Sequence, residues 1–273
     1  MKISMVLITY NHSKYIESAL KNFFDQSYAN VEYLISDDAS HDGTYEIIEN
    51  FIHNLDSEKL NKIKYLRKNS GNLGICPNLQ TVMKYCSGEY IALFAGDDIS
   101  DINRIQRAAN IIEKEKNIYA YTTNLNYIDT DGNPIEGPPR NSTFYIYSMN
   151  QYLKRYYSKK ECIFNGCAAI YSSRVVKTSI INRGINAEDV SLLHSALCFG
   201  SVIFDDYHSV NYRIGLSQQQ SVLNGFINRY SIMQNLLAIA KENQYAFNIS
   251  ECIQLNIISI KIYLSRFKKW LLK

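Results

Sequence analysis

The chain has 273 residues, 46% of them apolar and 20% charged, with a formal net charge of +3. That length suits one large domain, or one domain with an extension, and the composition excludes a disordered or collagen-like chain. So small a net charge gives little footing for a polyanion, and no nucleic-acid partner is expected.

The first stretch, Ile3 to Thr9, is apolar and rich in β-preferring residues, and reads as a buried strand. Asn11-His12-Ser13 is a turn and helix start, after which Tyr15, Ile16, Ala19, Leu20, Phe23 and Phe24 recur at helical spacing. Val31 to Ser36 is a second strand, ending in Asp37-Asp38, and Asp42-Gly43-Thr44 turns into a second helix. Lys62 to Leu66 is a short third strand. The polar loop from Asn69 to Gly74 leads to Pro77, which suits a helix's first turn. A fourth strand, Tyr90 to Ala95, ends in Gly96-Asp97-Asp98. Strands alternating with helices predict an α/β fold with a mostly parallel, Rossmann-like sheet. In such sheets ligands collect beyond the carboxyl ends of the strands. Thr9-Tyr10-Asn11, Asp37-Asp38 and Gly96-Asp97-Asp98 all fall there.

Further on, Ile102 to Lys116 reads as an amphipathic helix and Ile118 to Thr123 as a strand. Asp129 to Asn133 is a hairpin-type turn, and Glu136-Gly-Pro-Pro-Arg140 a connecting loop. Tyr145 to Tyr157 is expected to be helical in part, and Gly166 to Tyr171 a short strand after a turn. Glu188-Asp189 opens a helix that runs through Val190 to Phe199. Val202 to Phe204 and Ser209 to Arg213 read as two strands, and the pattern from about Gln219 onward is helical.

Several features restrict the chemistry. Cys76, Cys86, Cys162, Cys167, Cys198 and Cys252 form no C-x-x-C pair, which fits reduced, mostly buried thiols in a cytoplasmic protein. The polar stretch from Thr9 to Lys14 comes too early for a signal peptide, and no run of eighteen apolar residues predicts a membrane span. The five histidines show no metal-ligand spacing, and His194 reads as a packed helix residue. G-x-S-x-G, P-loop and G-x-G-x-x-G motifs are absent.

The acidic pairs each admit two readings. Asp37-Asp38 fits a helix cap, since acids suit the free N–H groups and positive dipole of a helix start. It also fits a carboxylate accepting the N3–H of a pyrimidine. Gly96-Asp97-Asp98 is either a loop before a helix capped by Asp101, or a carboxylate site holding Mg²⁺ or Mn²⁺ against a diphosphate. Glu188-Asp189 is either a helix start or the seat of a general base. At the end of the chain, Ile253, Ile257, Ile260, Leu264, Phe267 and Leu271 follow helical spacing among Lys261, Arg266, Lys268, Lys269, Trp270 and Lys273. Such a helix either packs on the domain with a solvated basic face or lies on an anionic membrane.

The motifs occur in a definite order: Val6 to Asn11, Ser36 to Thr44, Asn72-Leu-Gly74 with Asn78, Gly88 to Ile91, Gly96-Asp97-Asp98 and Ala187-Glu-Asp189. This order resembles family 2 glycosyltransferases of the bacterial surface-polysaccharide type, over about residues 1–215. The resemblance implies a GT-A fold with a nucleotide-sugar-binding half (1–100), an acceptor-binding half (101–215) and a C-terminal helical extension (216–273). It implies an inverting, metal-dependent transfer from a nucleotide-sugar, a UDP-hexose or UDP-N-acetylhexosamine, to a saccharide or lipid-linked saccharide acceptor. Carried over, Thr9, Tyr10 and Asn11 line the nucleotide pocket, Asp38 binds the base with Asp37 beside it, and Asn72 and Gly74 shape the adjacent loop. Asp97 lies near the donor ribose and sugar, Asp98 holds Mn²⁺ or Mg²⁺, Asp189 is the catalytic base, and Glu188 meets an acceptor or donor hydroxyl. The expected location is the cytoplasm, with the basic C-terminal helix offering contact with the inner face of the cytoplasmic membrane. Ala95 departs from the family pattern, where many relatives carry another acid. Gly215 stands near the place of a histidine that commonly follows the Tyr212-Arg213 pair in the family; the candidate replacements are Arg213 and the Lys or Arg residues of the adjacent loop, and the sequence does not choose between them.

Three rivals leave different marks. A nucleotidyltransferase needs a glycine-rich basic loop after the first strand, and Thr9 to Lys14 is not one. A receiver-like signalling domain leaves Glu188-Asp189 unexplained. A catalytically inactive sugar-nucleotide-binding relative would share every binding motif and differ only in turnover.

Overall fold

The computed structural model describes residues 1–137, 145–157, 164–178, 188–215 and 229–256. Its elements in chain order are β1 (Ile3–Thr9), α1 (Ile16–Phe24), β2 (Val31–Asp37), α2 (Thr44–His53), α3 (Ser57–Lys62), β3 (Ile63–Lys68), α4 (Ile75–Met83), β4 (Tyr90–Ala95), β5 (Ile99–Ser100) and α5 (Arg104–Ile112). There follow β6 (Ile118–Ile128), β7 (Pro134–Ile135), β8 (Tyr145–Tyr147), α6 (Met149–Tyr157), a 3₁₀ turn at Gly166–Ala168, β9 (Ile170–Ser172), α7 (Ser173–Thr178), α8 (Glu188–Phe199), β10 (Ser201–Arg213) and α9 (Arg229–Glu242).

One sheet runs β3-β2-β1-β4-β9-β6-β10-β5, with β7 beside β6 and β8 beside β10. The first four strands are parallel neighbours. β9 lies antiparallel between β4 and β6, and β6 and β10 are again parallel to each other. Helices cover both faces, so the central strands have no wet side and read as unbroken apolar runs. β1 shows the division. Ile3, Met5 and Leu7 join a core with α1, α2 and α5, while Val6 faces a second core built with α4, α6 and α8.

The sequence reading holds for the four parallel strands and the helices between them. It differs in detail elsewhere. α3 was not expected; its start is capped by Asp56, whose carboxylate accepts from the Lys59 N–H. The helix expected from Ile102 to Lys116 is confined to α5. Val202 to Phe204 and Ser209 to Arg213 belong to one strand, β10, whose register against β6 slips between Asp205 and His208. A bulge accounts for the polar break that looked like two strands. The expected loop at Glu136 to Arg140 is described only as far as Gly137.

The C-terminal region is helical at α9 and over residues 249–256, with a break between them; residues 216–228 and 257–273 lie outside the described residues. The helix from 249 begins with a capping box. The Asn248 side chain accepts from the Glu251 N–H (3.0 Å), and the Glu251 carboxylate accepts from the Asn248 N–H (2.9 Å). Gln254 donates to Asn150 of α6, which docks this helix on the domain. The described cysteines form no disulfide, but only Cys86 of them is fully buried and Cys252 is exposed, so the expectation of mostly buried thiols is too strong. Cys162 is not among the described residues. His194 is buried, with its Nε2 3.1 Å from the Tyr152 hydroxyl, as a packed helix residue should be.

The amino ends of the strands are held by a buried carboxylate. Glu32, 1% exposed, accepts from the Ser4 hydroxyl, from the Ser87 N–H and hydroxyl, and from Lys2 Nζ at 2.6 Å. Burial opposes its charge, but these donors outweigh it and lower its pKa from 4.5 to about 2. A lowered folded pKa stabilises the fold above the unfolded value, and that stabilisation is lost as pH falls from about 4.5 toward 2. Glu32→Gln should therefore lower the unfolding midpoint at pH 7 and reduce the acid sensitivity of stability below pH 4.5. Urea titrations at pH 7 and pH 3 check this; equal losses at both pH values would contradict it.

Candidate active site

The carboxyl ends of β1, β2 and β4 open on one cavity of about 560 Å³. Thr9, Tyr10, Asp38, Asp97, Asp98 and Asp189 line it. These six expected residues come together from strand ends and from α8, elements far apart in sequence. Asn11, Asp37, Asn72 and Gly74 stand behind the lining. Glu188 begins α8, and its side chain is not among those described.

Asp37 and Asp38 divide their work. Asp37 is fully buried and turned into its own loop, where its oxygens accept from the Ser40 N–H (2.9 Å) and hydroxyl (2.6 Å). Asp38 reaches across to the loop after β3. One oxygen accepts from Asn69 Nδ2 and the Leu73 N–H, the other from the Gly74 N–H at 2.8 Å. Gly74 holds φ +83°, a left-handed conformation that glycine adopts without strain. Asn72 completes that turn by accepting from the same N–H. Two non-glycine residues at this edge are also left-handed, Asn11 (φ +54°) and Ala39 (φ +65°). Such strain persists only where surrounding contacts fix the backbone. At Asn11 its amide donates to Ser40 Oγ and its side chain accepts from the His41 N–H.

Asp42 follows the helix-cap reading. It accepts from the Thr44 N–H and hydroxyl and from the Ser13 N–H, joining the starts of α1 and α2. Burial acts against its charge, but these donors bring its pKa down to about 2.

Asp97 and Asp98 separate as well. Asp97 is partly exposed to the cavity, with Oδ2 3.7 Å from His12 Nε2. His12 Nδ1 lies 3.1 Å from the Thr9 hydroxyl, so Thr9, His12 and Asp97 form one chain of polar groups along the wall. Gly96 makes this possible: a Cβ there would stand 2.5 Å from Thr9 Oγ1 and 2.9 Å from His12 Nδ1. Asp98 is buried. Its Oδ1 accepts from the Arg213 N–H at 2.9 Å, while its Oδ2 is buried with no hydrogen-bond partner among the described residues. Burial first, and then the Asp97 charge, push its pKa well up; the Arg213 N–H and the charges of Arg104 and Arg213 oppose this. An orphaned carboxylate oxygen on a residue that lines the cavity suits a hard cation, which takes one or two carboxylates and completes its shell from phosphates and water. Ala95 lines the same wall with a methyl group, and no cluster of three ligating side chains stands ready among the described residues. The residues present therefore fit a cation held through Asp98 and a bound diphosphate.

Asp189 stands in the first turn of α8 and faces the cavity, its Oδ1 accepting from the Val190 N–H at 2.8 Å. Burial raises its pKa. The helix-start reading of this residue holds, and it also lines the cavity.

Sequence reasoning gave no role to His12, Asn165, Cys167 or Tyr127, all of which line the cavity. His12 was legible in principle, three residues past Thr9 at the same strand end. Asn165 and Cys167 arrive through the 3₁₀ turn after residue 164, which no local pattern marks as a cavity wall. Arg213 is committed to structure: Nε donates to the Asp97 carbonyl (2.9 Å) and one terminal nitrogen to the Asp129 carbonyl (2.8 Å). A Cβ at Gly215 would meet open space.

The family model described as "Glycosyl transferase family 2" matches residues 4–179, more than half of the chain. The chain belongs to glycosyl transferase family 2. Among curated relatives, EpsE of Bacillus subtilis is 29% identical over 131 residues, 48% of this chain and 45% of that protein. The UDP-Glc:alpha-D-GlcNAc-diphosphoundecaprenol beta-1,3-glucosyltransferase WfaP of Escherichia coli is 29% identical over 133 residues, 47% of each chain. The chain spans less than half the length of the first curated relatives it matches. Among solved structures, TarS 1–349 of S. aureus in complex with UDP-GlcNAc superposes with a TM-score of 0.69 at 19% identity, over 94% of this chain and 70% of that one. The mannosyltransferase PcManGT from Pyrobaculum calidifontis, in complex with GDP-Man and Mn2+, gives 0.54 at 14% identity, over 98% and 82%. The fold is GT-A, as the motif order implied. No described helix is long and apolar enough to cross a membrane.

Proposed function

We propose that this chain is an inverting glycosyltransferase that moves a sugar from a UDP-hexose or UDP-N-acetylhexosamine to a hydroxyl of a saccharide or lipid-linked saccharide in bacterial surface-polysaccharide synthesis. The observation that carries the reading is the meeting of Asp38, Asp97, Asp98 and Asp189 at one cavity of a family 2 chain. The UDP-GlcNAc bound by TarS and the acceptor in the name of WfaP support the choice of donor and acceptor class.

In this reading Thr9 and Tyr10 wall the nucleotide pocket, with Asn11 and Asp37 building the turn behind it. Asp38 accepts from the base while Asn72 and Gly74 hold the loop it anchors. Asp97, set by His12, meets donor hydroxyls, and Glu188 meets an acceptor or donor hydroxyl. Mn²⁺ or Mg²⁺ held by Asp98 would take up charge on the departing diphosphate; the Mn2+ in PcManGT supports that role. Asp189 accepts the acceptor hydroxyl's proton as that oxygen bonds to the anomeric carbon. The bond from that carbon to the diphosphate oxygen breaks on the opposite face, so one displacement inverts the centre.

Asp189→Asn should keep donor binding and lose turnover by about 10²–10⁴-fold. A base works deprotonated, and burial raises the Asp189 pKa. The acid limb of kcat/KM should therefore lie above the ordinary carboxylate range and vanish in the variant. Near-normal turnover in Asp189→Asn would overturn the assignment. A thermal-shift screen of nucleotide-sugars with and without Mn²⁺ tests donor and metal together. It should show a larger UDP-sugar shift with the metal, and that increment should be lost in Asp98→Asn. An unchanged increment would contradict the metal role.

Peripheral contact with the inner face of the cytoplasmic membrane belongs to the same proposal. Ile249 and Ile253, one turn apart, are 82% and 53% exposed, on a helix whose Glu251 and Gln254 are buried. The basic residues from Lys261 to Lys273 follow in sequence, outside the described residues. Ile249→Asp with Ile253→Asp should reduce co-sedimentation with anionic liposomes, as should rising salt. Salt-independent failure of the unaltered chain to sediment would leave the packed helix as the full account.

A further inference from the structure

A second concavity, of about 620 Å³, opens on β6, β7 and β10. Leu125 and Tyr127 border both it and the donor cavity, so the two share a wall. Its polar part is a ladder across two strands. His208 Nδ1 lies 2.9 Å from Asn126 Oδ1, and Asn126 Nδ2 donates to Asn211 Oδ1 at 3.0 Å. Among the described residues the ladder leaves His208 Nε2 and Asn211 Nδ2 without hydrogen-bond partners. With Nδ1–H donating to Asn126, the neutral ring accepts at Nε2, while Asn211 donates. The groove thus presents an acceptor and a donor held in fixed relation by a third side chain.

The β10 bulge sets this arrangement. One register slip, between Asp205 and His208, brings His208 opposite Asn124, and a second, between His208 and Val210, brings Asn211 opposite Asn126. The first slip is braced from both sides. Asn124 Nδ2 donates to the Asp206 carbonyl, and Arg107 of α5 makes a two-pronged pair with Asp205. Bulges re-aim side chains, and here the re-aimed side chain is His208. Pro134 and Ile135 of β7 add an apolar margin. No Asp, Glu, Lys or Arg side chain is among the described lining residues.

We propose that this groove binds a neutral saccharide, the acceptor chain beyond its reacting sugar; the acceptor assignment rests on the glycosyltransferase reading above. Vicinal hydroxyls both donate and accept, which matches a carboxamide–imidazole ladder, and the C–H face of a pyranose suits Pro134 and Ile135. A nucleotide or a uronic-acid polymer would bring charge to a lining whose described residues carry none to offset it. Asn211 lies two residues before Arg213, whose N–H holds Asp98, so the occupant would sit on the strand that supports the donor site.

The test is calorimetric titration of the full chain with neutral tetrasaccharides of glucose, galactose and N-acetylglucosamine, and with a uronic-acid tetrasaccharide. At least one neutral member should bind, and at least tenfold more weakly to Asn126→Ala/Asn211→Ala. The near-isosteric Asn211→Asp, which removes the outward donor and adds charge, should weaken binding by a similar factor. UDP-dependent thermal shift and slow donor hydrolysis should stay unchanged in both variants. The proposal fails if no neutral member binds the unaltered chain, if both variants bind as it does, or if the uronic-acid member is preferred. Neutral-saccharide binding without donor turnover would instead refute the enzymatic reading and leave the groove's ligand class standing.

Discussion

Arg213 fixes the geometry on which the rest of the site depends. Its N–H holds Asp98, its Nε holds the Asp97 carbonyl, and a terminal nitrogen holds the Asp129 carbonyl at the β6–β7 turn. The guanidinium lies 4.3 Å from the centroid of the Tyr15 ring at the start of α1. One side chain therefore joins the fourth strand's end, the far hairpin and the first helix. Two adjacent carboxylates repel each other, and burial makes the inner one costly to ionise. A charge-assisted clamp that also fixes their backbone limits how far they can separate. The register of β10 places the clamp, so the bulge between Asp205 and His208 matters to the donor site as well as to the groove beside it.

The acids of this chain sort by what is left over after folding. Buried Glu32 and Asp37 and the exposed Asp42 spend both oxygens on donors of the protein itself; Glu32 and Asp42 tie distant segments together, while Asp37 holds its own loop. Asp38 also spends both, on the loop at Gly74, yet stays in the cavity lining. Asp98 alone of these keeps a buried oxygen without a partner among the described residues. Unsatisfied buried polar atoms are expensive, and they survive where a ligand completes them. Asp205 is a further structural case: it is fully buried and paired with Arg107 and the Tyr121 hydroxyl, where it braces the β10 bulge.

β6 and β10 do double work through the alternation of strand side chains. Leu125, Tyr127, Val210 and Tyr212 pack together with Ala168 and Cys167, while Asn126, His208 and Asn211 form the polar ladder. On β6 a strand's period of two sets Asn126 apart from Leu125 and Tyr127, and on β10 the register slips bring His208 and Asn211 into one ladder despite their opposite parity. Leu125 and Tyr127 border both concavities, so a substitution at either one alters the wall that they share.

The sequence by itself determined the parallel α/β half, because buried parallel strands give continuous apolar runs and helices give their own period. It also determined the strand-end acids, since charge at the tip of an apolar run is costly to bury unless a helix start or a ligand takes it up, and their order marked the family. Tertiary structure alone decided which of those acids hold the fold and which face the cavity. Asp37 and Asp38 are neighbours of one type, and only the loop from Asn69 to Gly74 tells them apart. It also decided that His12 joins Thr9 and Asp97, that Asn165 and Cys167 reach the wall, and that β10 is one bulged strand. Each of these rests on contacts between residues distant in sequence, and local pattern carries no record of such contacts.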